Sequence, residues 1–551
     1  MERTRRSRLL QHLACIVTLL ITLGNTIWTP TALAASITVT TTTDELNTDG
    51  DCSLREAVRA ANLDRAVDAC TAGSGADTIT LAAGTYGLTR SGGGEQAAAT
   101  GDLDISGTLT IHGAGQNQTF VDGNDAQRVF EVLPGSTATF TALTIRNGYA
   151  ERDPSASEDV SSQLDGGGIF NSDGVLTIID SSLTGNAAFR GGGFYNGTGT
   201  ATLTNSTLNG NAASWDGDGA GGFLNDGGTV SVVGSTLHNN RTPGSGGGFY
   251  NWGGITMSHT TISENYAGSG GGGFANNFGA TAALTNTTIT GNEGSGAAAF
   301  FNTSTVILNN ATIAHNRSLS DGASGAIDAG SAPTVLQNTI LAGNTTVNGT
   351  AADCSGSITS QGYNLIGSTG GCTISGDITG TILNVDPQLG PLQDNGGPTR
   401  THALLPGSPA IDAGNPAGPG SSGASCAATD QRGVARPQDG DGDTLARCDI
   451  GAYEVEARKQ VTPQERIGAL KTEVQHLVAQ RVLNRGQGQA LSSKLNAALH
   501  KLNQGKATPA VNQLHAFVKQ AEAYKHNKIL SMGQAQALIN AANTIIGQLR
   551  P

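Results

Sequence analysis

Short runs of alternating apolar and polar residues repeat at a nearly constant interval through the middle of the chain. One motif combines a Gly run with an apolar pair and Asn, as in GGGFYN ending at Asn196, and its Asn recurs every 25 to 29 residues. A second motif, as in STLNGN ending at Asn211, recurs in step with the first. Apolar runs such as ATLTN lie between them. Each period therefore predicts about three short strands separated by turns.

A period of this length with three strands predicts a parallel β-helix, in which each repeat forms one turn of a solenoid. Strand alternation predicts three stacks of inward-pointing side chains, with the recurring Asn residues at the corners. The first stack is mostly aromatic and comprises Ile169, Phe194, Phe223, Phe249, Phe274 and Phe300. The two aliphatic stacks comprise Ile178, Leu203, Val232, Met257, Leu284, Leu308 and Leu336, and Leu183, Leu208, Leu237, Ile262, Ile289, Ile313 and Leu341.

One row of the repeat points away from this core. Its members immediately precede the first corner Asn, and several are aromatic. An exposed aromatic row indicates binding, whereas a covering loop or the C-terminal tail would make the row structural. The row comprises Phe170, Tyr195, Leu224, Tyr250 and Phe301.

The segment before the repeats predicts a cap for the open end of the solenoid. Ser53 and Glu56 match a capping box that opens a short helix from Leu54 to about Asn62. An unpaired strand edge at the end of a β-helix needs such a cover.

The pattern changes to helical spacing after Glu456 and predicts a bundle of four short helices. Thr462-Pro463 and Thr508-Pro509 are predicted to begin helices, because Pro is favoured at the first helical position. Gly486 and Gly505 are predicted to end helices.

The N-terminus has the pattern of an export signal. Four arginines precede an apolar stretch from Leu9 to about Leu23, and Ala32-Leu33-Ala34 offers a cleavage site. We therefore expect a signal peptide over 1–34 and a secreted or cell-surface protein. No later stretch holds 18 consecutive apolar residues, so no transmembrane segment is expected after cleavage.

An even number of cysteines remains after that signal, which in an exported chain indicates disulfides. Six cysteines allow 15 pairings, and their clustering in sequence favours local pairs. The favoured pairs are Cys52 with Cys70, Cys354 with Cys372, and Cys426 with Cys448.

Composition and charge exclude several classes of protein. Gly makes up 79 of 551 residues, about twice its usual share, while the apolar content is that of a packed chain and argues against disorder. Residues 36–455 carry 14 Arg, no Lys and 39 acidic residues, and the remaining tail carries 13 Lys and Arg against four acidic residues. An acidic body of this kind disfavours nucleic acid as a partner.

Several longer motifs resemble named families of exported bacterial proteins. CSLREAVRAAN at 52–62 is similar to the CSLREA N-terminal domain. The runs GPLQDNGGPTRTHALLPGSPAIDAG, CAATDQRGVARP and CDIGAYE resemble the choice-of-anchor Q family, and the Gly and Asn repeats resemble those of polymorphic outer-membrane proteins. The tail around AVNQLHAFVKQAEAYK resembles the FIMAH domain.

The resemblance implies a mainly β fold: a right-handed, single-stranded parallel β-helix similar to pectate lyase, with an N-terminal helical cap and a C-terminal four-helix module. It implies no agreed activity, because these families are defined by architecture. The expected segments are a signal peptide at 1–34, a CSLREA-type cap and first turns at 36–128, repeats at 129–400, a disulfide-containing cap at 401–455, and a FIMAH-like domain at 460–551.

The largest insertions in the repeat fall at one corner of the predicted solenoid, at 148–165, at SWDGDGA and at 317–324. Residues along this edge could stack a sugar on aromatic rings and hold its carboxylate through Arg, or through Ca²⁺ on an Asp pair. The alternative is a solvated loop edge. The candidate glycan-binding residues are Arg190, Trp215, Asp216, Asp218, Arg241 and Tyr266.

A second candidate site is a calcium loop at Asp439-Gly-Asp441-Gly-Asp443. The position that would carry Glu in an EF-hand is Ile450, so Asp449 or Glu454 would have to substitute. The alternative is an ordinary acidic turn. Ca²⁺ is the one cofactor that the sequence suggests.

These patterns favour a non-catalytic, adhesin-like scaffold that binds an extracellular polysaccharide or a cell-envelope component. The alternative is a calcium-dependent polysaccharide lyase or a glycoside hydrolase acting on an acidic glycan. A lyase needs a base, and the lysine-free repeats offer only Arg190, Arg241 or Arg317. A hydrolase needs two carboxylates at a set separation, which the Asp216 and Asp218 spacing does not fix.

Overall fold

The computed structural model describes residues 34–150, 164–277, 279–320, 325–330, 332–421, 423–457 and 462–549. Apart from Ala34, the predicted signal peptide lies outside these residues, as do 151–163 of the insertion 148–165 and 321–324 of the insertion 317–324. The chain divides into two compact units, Met1–Ala457 and Arg458–Pro551. Each unit is described by itself.

The first unit is a parallel β-solenoid, with about nine turns between Leu103 and Ala342 that carry strands on three sides. The first column of strands comprises Leu103–Ile105, Phe130–Val132, Ile169–Asn171, Phe194–Asn196, Phe223–Asn225, Phe249–Asn251, Phe274–Asn276, Phe300–Asn302 and Ile327–Asp328. The second comprises Ser36–Thr38, Ala76–Thr80, Thr108–His112, Thr137–Thr141, Val175–Ile179, Thr200–Thr204, Thr229–Val233, Thr305–Asn309, Thr334–Gln337, Cys354–Gln361 and Cys372–Asp377. The third comprises Gly84–Gly87, Thr119–Asp122, Thr144–Arg146, Ser182–Thr184, Thr207–Asn209, Thr236–His238, Thr312–Ala314, Ile340–Ala342, Leu365–Ile366 and Ile382–Leu383. Gly254–Ser263 and Thr281–Thr290 run through both the second and third columns.

A fourth column of two-residue strands follows the third. It comprises Tyr149–Ala150, Ala187–Ala188, Ala212–Ala213, Arg241–Thr242, Tyr266–Ala267, Glu293–Gly294 and Arg317–Ser318. These seven strands pair in parallel, and in each of them the second residue is buried while the first is turned outward. We call the outward-pointing residues of this column the seven-strand face.

The predicted core stacks are confirmed. Phe194, Phe223, Phe249, Phe274 and Phe300 are fully buried, and neighbouring rings are 4.6 to 5.1 Å apart and nearly parallel. The parallel register places equivalent residues of successive turns side by side, so each aliphatic stack is also continuous. Apolar side chains in equivalent positions thus pack along the axis and exclude water from the core.

Two ladders of buried Asn side chains hold the corners, as expected. In the second ladder the amide of Asn211 donates to Asn240 at 2.9 Å, and that of Asn240 donates to Asn265 at 2.9 Å. Each amide also donates to a main-chain carbonyl of an adjacent turn, as Asn240 does to Leu208 at 3.0 Å. The ladder ends at Asp353, whose carboxylate accepts the amide of Asn344 at 2.8 Å. Polar groups at the corners are therefore paired although they are buried.

The Gly runs are explained by close contact between turns. A Cβ atom at Gly222 would lie 2.2 Å from the carbonyl oxygen of Gly248, and one at Gly193 would lie 2.5 Å from that of Gly222. Such a close approach of successive main chains favours Gly, although Ala298 and Ala299 take the equivalent positions in one later turn.

The outward aromatic row is covered rather than exposed. Phe170 and Tyr195 are only 6% and 7% exposed, and Leu224 and Tyr250 are fully buried in a separate apolar cluster with Ala220. Ala220, in the turn after strand Ala212–Ala213, packs in this cluster, and a Cβ atom at Gly270, in the turn after Tyr266–Ala267, would lie 3.5 Å from Phe301. The interpretation of the row as an open binding stripe is therefore wrong, and its covering by loops is confirmed.

The N-terminal segment forms helix α1, Leu54–Asn62, with the predicted capping box between Ser53 and Glu56. Arg55 is fully buried and pairs with Asp44 at 2.5 Å. All three disulfides join the locally favoured partners: Cys52 with Cys70, Cys354 with Cys372, and Cys426 with Cys448.

The segment 387–455, which includes the expected C-terminal cap, packs along the outer flank of the solenoid. It begins with an antiparallel hairpin of Leu389–Gln393 and Thr401–Leu404. Its apolar residues cover outward-pointing Ile340 and Leu365 of the last turns. Side chains of earlier turns also bind it, as when Thr288 donates to Gln431 at 2.7 Å. The contact of Thr288 with Gln431 joins residues more than 100 positions apart in sequence, so no local pattern revealed it.

The second unit is a four-helix module, as predicted. Its helices are α2, Pro463–Ala479; α3, Arg485–Asn503; α4, Ala507–His526; and α5, Met532–Leu549. They enclose one apolar core that includes Leu470, Leu495 and Phe517. No helix among the described residues is long and apolar enough to cross a membrane.

Two of the predicted helix boundaries in this unit are wrong. Gly486 lies in the first turn of α3 rather than after a helix, because Asn484 forms a capping box with Gln487 and starts the helix there. Thr508-Pro509 lies inside α4, which begins at Ala507 without a side-chain cap. The boundaries at Thr462, which caps α2, and at Gly505 are confirmed.

Candidate functional site

Two of the six candidate glycan-binding residues, Arg241 and Tyr266, belong to the seven-strand face, and a third, Trp215, lies beside it. Arg241 and Tyr266 lie on adjacent strands in direct parallel register and both point outward. Their main chains are therefore about 4.8 Å apart. Tyr266 is 41% exposed, a high fraction for a large aromatic side chain.

Trp215 lies beside this pair. It follows strand Ala212–Ala213 by two residues, and its carbonyl accepts the hydroxyl of Thr242, the residue after Arg241, at 3.3 Å. Its ring packs on Phe189 with centroids 4.6 Å apart and remains 40% exposed. The ring is thus fixed by one aromatic neighbour and presents its other side to solvent.

Further along the same face, Glu293 and Arg317 are neighbours in register and form an ion pair at 3.1 Å. Both side chains are more than 40% exposed, so the pair contributes little to stability. The face therefore combines exposed rings with exposed charges of both signs.

The other three candidates do not form one cluster with these residues. Arg190 turns inward beneath the covering turns, where it binds Asp165 at 2.7 Å and lies 5.2 Å from the ring centroid of Tyr195. Asp218 hydrogen-bonds the hydroxyl of Tyr250. Asp216 is exposed. The insertion SWDGDGA interrupts the strand alternation, so the repeat did not predict the direction in which its side chains point.

The covered side is a structural network. Burial, and then the neighbouring Asp226 carboxylate that accepts its hydroxyl, raise the pKa of Tyr195 far above its usual range. Burial and Asp218 likewise raise the pKa of Tyr250. Both phenols thus stay protonated: that of Tyr195 donates to Asp226, and that of Tyr250 lies against Asp218 and accepts the amide of Asn277.

A cleft of about 400 Å³ lies elsewhere, between the third column and the flank segment. Hydroxyl groups of the third column, and His238, line one wall. Residues Asp394 to Arg400 form the other wall. Sequence reasoning missed this cleft because its two walls are more than 130 residues apart in the chain.

The acidic loop brings together a different set of carboxylates from the predicted one. Asp439 and Asp441 lie with Asp412, and one oxygen of each is within 4.8 Å of the others. Asp443 instead accepts the main-chain N–H of Leu445 at 2.7 Å. Asp412 lies outside the DGDGD motif and was missed; the loop binds it through the N–H of Asp441 at 2.9 Å.

Asp449 belongs to the buried interior of the flank segment. It accepts the N–H of Asp412 at 2.7 Å, and burial, then the neighbouring Glu454, raise its pKa. Arg436 binds Glu454 at 2.6 Å with both side chains fully buried. The flank segment thus contains a buried ion network that holds it together.

Comparison with known proteins matches one domain of the chain and finds a solved structure with weak overall similarity. Residues 467–547 match the FIMAH domain. No curated protein matches the chain. The crystal structure of pectate lyase Pel9A is similar over 78% of this chain and 98% of that chain, with 14% identity and a TM-score of 0.42. The protein therefore combines a parallel β-solenoid with a FIMAH domain that occupies most of its C-terminal helical unit.

Proposed function

We propose that this protein is a secreted or cell-surface scaffold that binds an extracellular polysaccharide or a cell-envelope component along its seven-strand face. The observation that carries the proposal is the grouping of three exposed side chains, Trp215, Arg241 and Tyr266, on adjacent turns. Flat rings stack on the apolar faces of sugars, and an Arg binds carboxylate or hydroxyl oxygens. The three disulfides support an oxidising, extracellular location.

A rigid solenoid suits such a role. Strand register fixes the spacing of these side chains, so little conformational entropy is lost when a linear polymer binds along the face. The Ca²⁺ expected at the acidic loop would then be structural, with Asp412, Asp439 and Asp441 as the carboxylates brought together there.

The orientation of the charged side chains supports binding without cleavage. On the seven-strand face Glu293 is paired with Arg317, and Asp218 is turned toward Tyr250. The two carboxylates that a hydrolase would use, Asp216 and Asp218, thus face different surroundings. A lyase using Arg190 would need that guanidinium to leave Asp165.

Binding by the purified chain to pectins, alginates, glycosaminoglycans and cell-wall preparations tests this proposal. Trp215→Ala and Tyr266→Ala should each weaken binding by about tenfold or more, the loss expected for a central aromatic contact. Val233→Ala removes an equally exposed apolar side chain from the second column and should change nothing.

Two results would contradict the seven-strand face as the binding surface. In one, both aromatic variants bind as the wild type does. In the other, Arg400→Ala in the 400 Å³ cleft abolishes binding that Trp215→Ala leaves intact.

A further inference from the structure

A group of three carboxylates lies where the N-terminal cap meets the first turns of the solenoid. Asp104 and Glu131 are direct neighbours in the first column, on successive strands and in parallel register. Asp102 precedes the first of these strands. One carboxylate oxygen from each of the three lies within 4.8 Å of the others.

One of these carboxylates is buried and incompletely paired. Asp104 is fully buried. Its Oδ2 accepts the main-chain N–H of Ala98 at 2.7 Å, whereas its Oδ1 has no hydrogen-bond partner. An ionised oxygen in such a position is costly unless a cation compensates it.

The nearby guanidinium groups do not reach Asp104. Arg128 binds Asp102 at 2.6 Å and Glu131 at 2.8 Å. The guanidinium of Arg55 binds the Asp44 carboxylate and donates to main-chain carbonyls, including that of Asp102 at 3.3 Å. Burial, and then the Asp102 carboxylate, raise the pKa of Asp104 to about 7.

Two other groups of three carboxylates occur among the described residues. Glu45, Asp49 and Asp51 form one of them, and Asp412, Asp439 and Asp441 form the other. Each contains an exposed member; Asp51 has one unpaired oxygen, as Asp104 does, but its side chain is only partly buried, and no buried oxygen of the Asp412 group lacks a partner. Carboxylates of these two groups therefore serve as controls for where the ion binds.

We propose that Asp102, Asp104 and Glu131 bind a Ca²⁺ ion. Ligands that are all carboxylate oxygens suit a hard cation rather than zinc or copper. Arg128 already binds two of the three carboxylates, so a cation there would meet an irregular set of ligands. Ca²⁺ accepts such irregular coordination, whereas Mg²⁺ does not.

The bound ion would join three elements of the chain. The amide of Asn62, at the end of α1, donates to the carbonyl of Asp104 at 2.7 Å. Ala98 belongs to the segment that Arg55 holds, and Glu131 belongs to the next turn. Ca²⁺ would therefore fasten the N-terminal cap to the solenoid and stabilise it by mass action.

The test uses the full chain, freed of metal with chelator and held at pH 8 so that the carboxylates are ionised. Calorimetric titration with CaCl₂ should resolve one binding equivalent beyond that of the acidic loop, and this equivalent should disappear in Asp104→Asn and in Glu131→Gln, or its affinity should fall by more than roughly tenfold. Asp439→Asn and Asp49→Asn should retain that equivalent. The temperature of solenoid unfolding should rise with Ca²⁺ in the wild type and in both controls.

Unchanged Ca²⁺ stoichiometry and affinity in both Asp104→Asn and Glu131→Gln would overturn the proposal, as would an absence of Ca²⁺ binding by the wild type. Equal affinity for Mg²⁺ would overturn the assignment of calcium. Glu131→Gln alters the more accessible member of the group, so it carries the test if Asp104→Asn fails to fold.

Discussion

Removing one rung of the Asn ladder should destabilise the solenoid strongly. In Asn240 the side-chain oxygen accepts the main-chain N–H and the amide of Asn211, at 3.1 and 2.9 Å. Its amide donates to Leu208 and to Asn265. Asn240→Ala deletes these four bonds at a fully buried site. At about 1 kcal/mol each, the free energy of unfolding should fall by about 4 kcal/mol.

Guanidinium titration followed by tryptophan fluorescence measures this change. Beyond residue 34 the only tryptophans in the sequence are Trp215 and Trp252, so the signal reports the solenoid and not the helical unit. Asn209→Ala is the matched control, because Asn209 is an outward residue of the third column and is only half-buried. It should change the free energy of unfolding by less than about 0.5 kcal/mol.

A loss below about 1 kcal/mol for Asn240→Ala, relative to Asn209→Ala, would refute the reasoning. It would mean that water or a shift of the turns satisfies the groups that the missing amide leaves unpaired. The corner Asn residues would then be turn formers and not the paired supports described above.

Three further predictions concern groups that the fold buries. Burial lowers the pKa of His402 to about 4, so as the pH falls this residue is protonated in the unfolded chain before it is protonated in the folded one. The free energy of unfolding should therefore drop by about 2 kcal/mol between pH 7 and 5. His402→Gln should lessen that drop, as measured by thermal unfolding. Arg436→Met leaves Glu454 buried without its partner and should cost about 3–5 kcal/mol in chemical unfolding, part of which Glu454→Gln in the same chain should restore. Gly222→Ala should cost about 2–3 kcal/mol through its contact with the next turn, whereas Gly254→Ala, whose Cβ would meet only a methyl group at 3.6 Å, should be close to neutral. Equal unfolding midpoints for the two Gly variants would contradict the close packing of the main chains.

The repeating part of the fold could be predicted because its interactions are encoded in the repeat itself. Phe194 and Asn240 meet their equivalents on the next turn, so the sequence period alone identifies their partners. The pairing of Arg241 with Tyr266 followed for the same reason.

The parts that could not be predicted depend on contacts without a period. Arg190 and Asp218 turn away from the seven-strand face because Asp165, which follows an insertion, and Tyr250, in the covered row, provide their partners. The cleft beside His238 and the flank position of Arg436 arise from long-range packing. Asp412 was missed because it approaches the acidic loop from outside the motif.

The most direct test of the proposed function measures binding and cleavage in the same samples. The full chain, with Ca²⁺ present, would be incubated with pectins, alginates and glycosaminoglycans, and bound polymer, new reducing ends and unsaturated uronate would be measured together. We predict binding to at least one polymer, loss of that binding in Trp215→Ala, and no product. Product from any of these glycans would contradict a non-catalytic scaffold and would identify the protein as a polysaccharide-degrading enzyme.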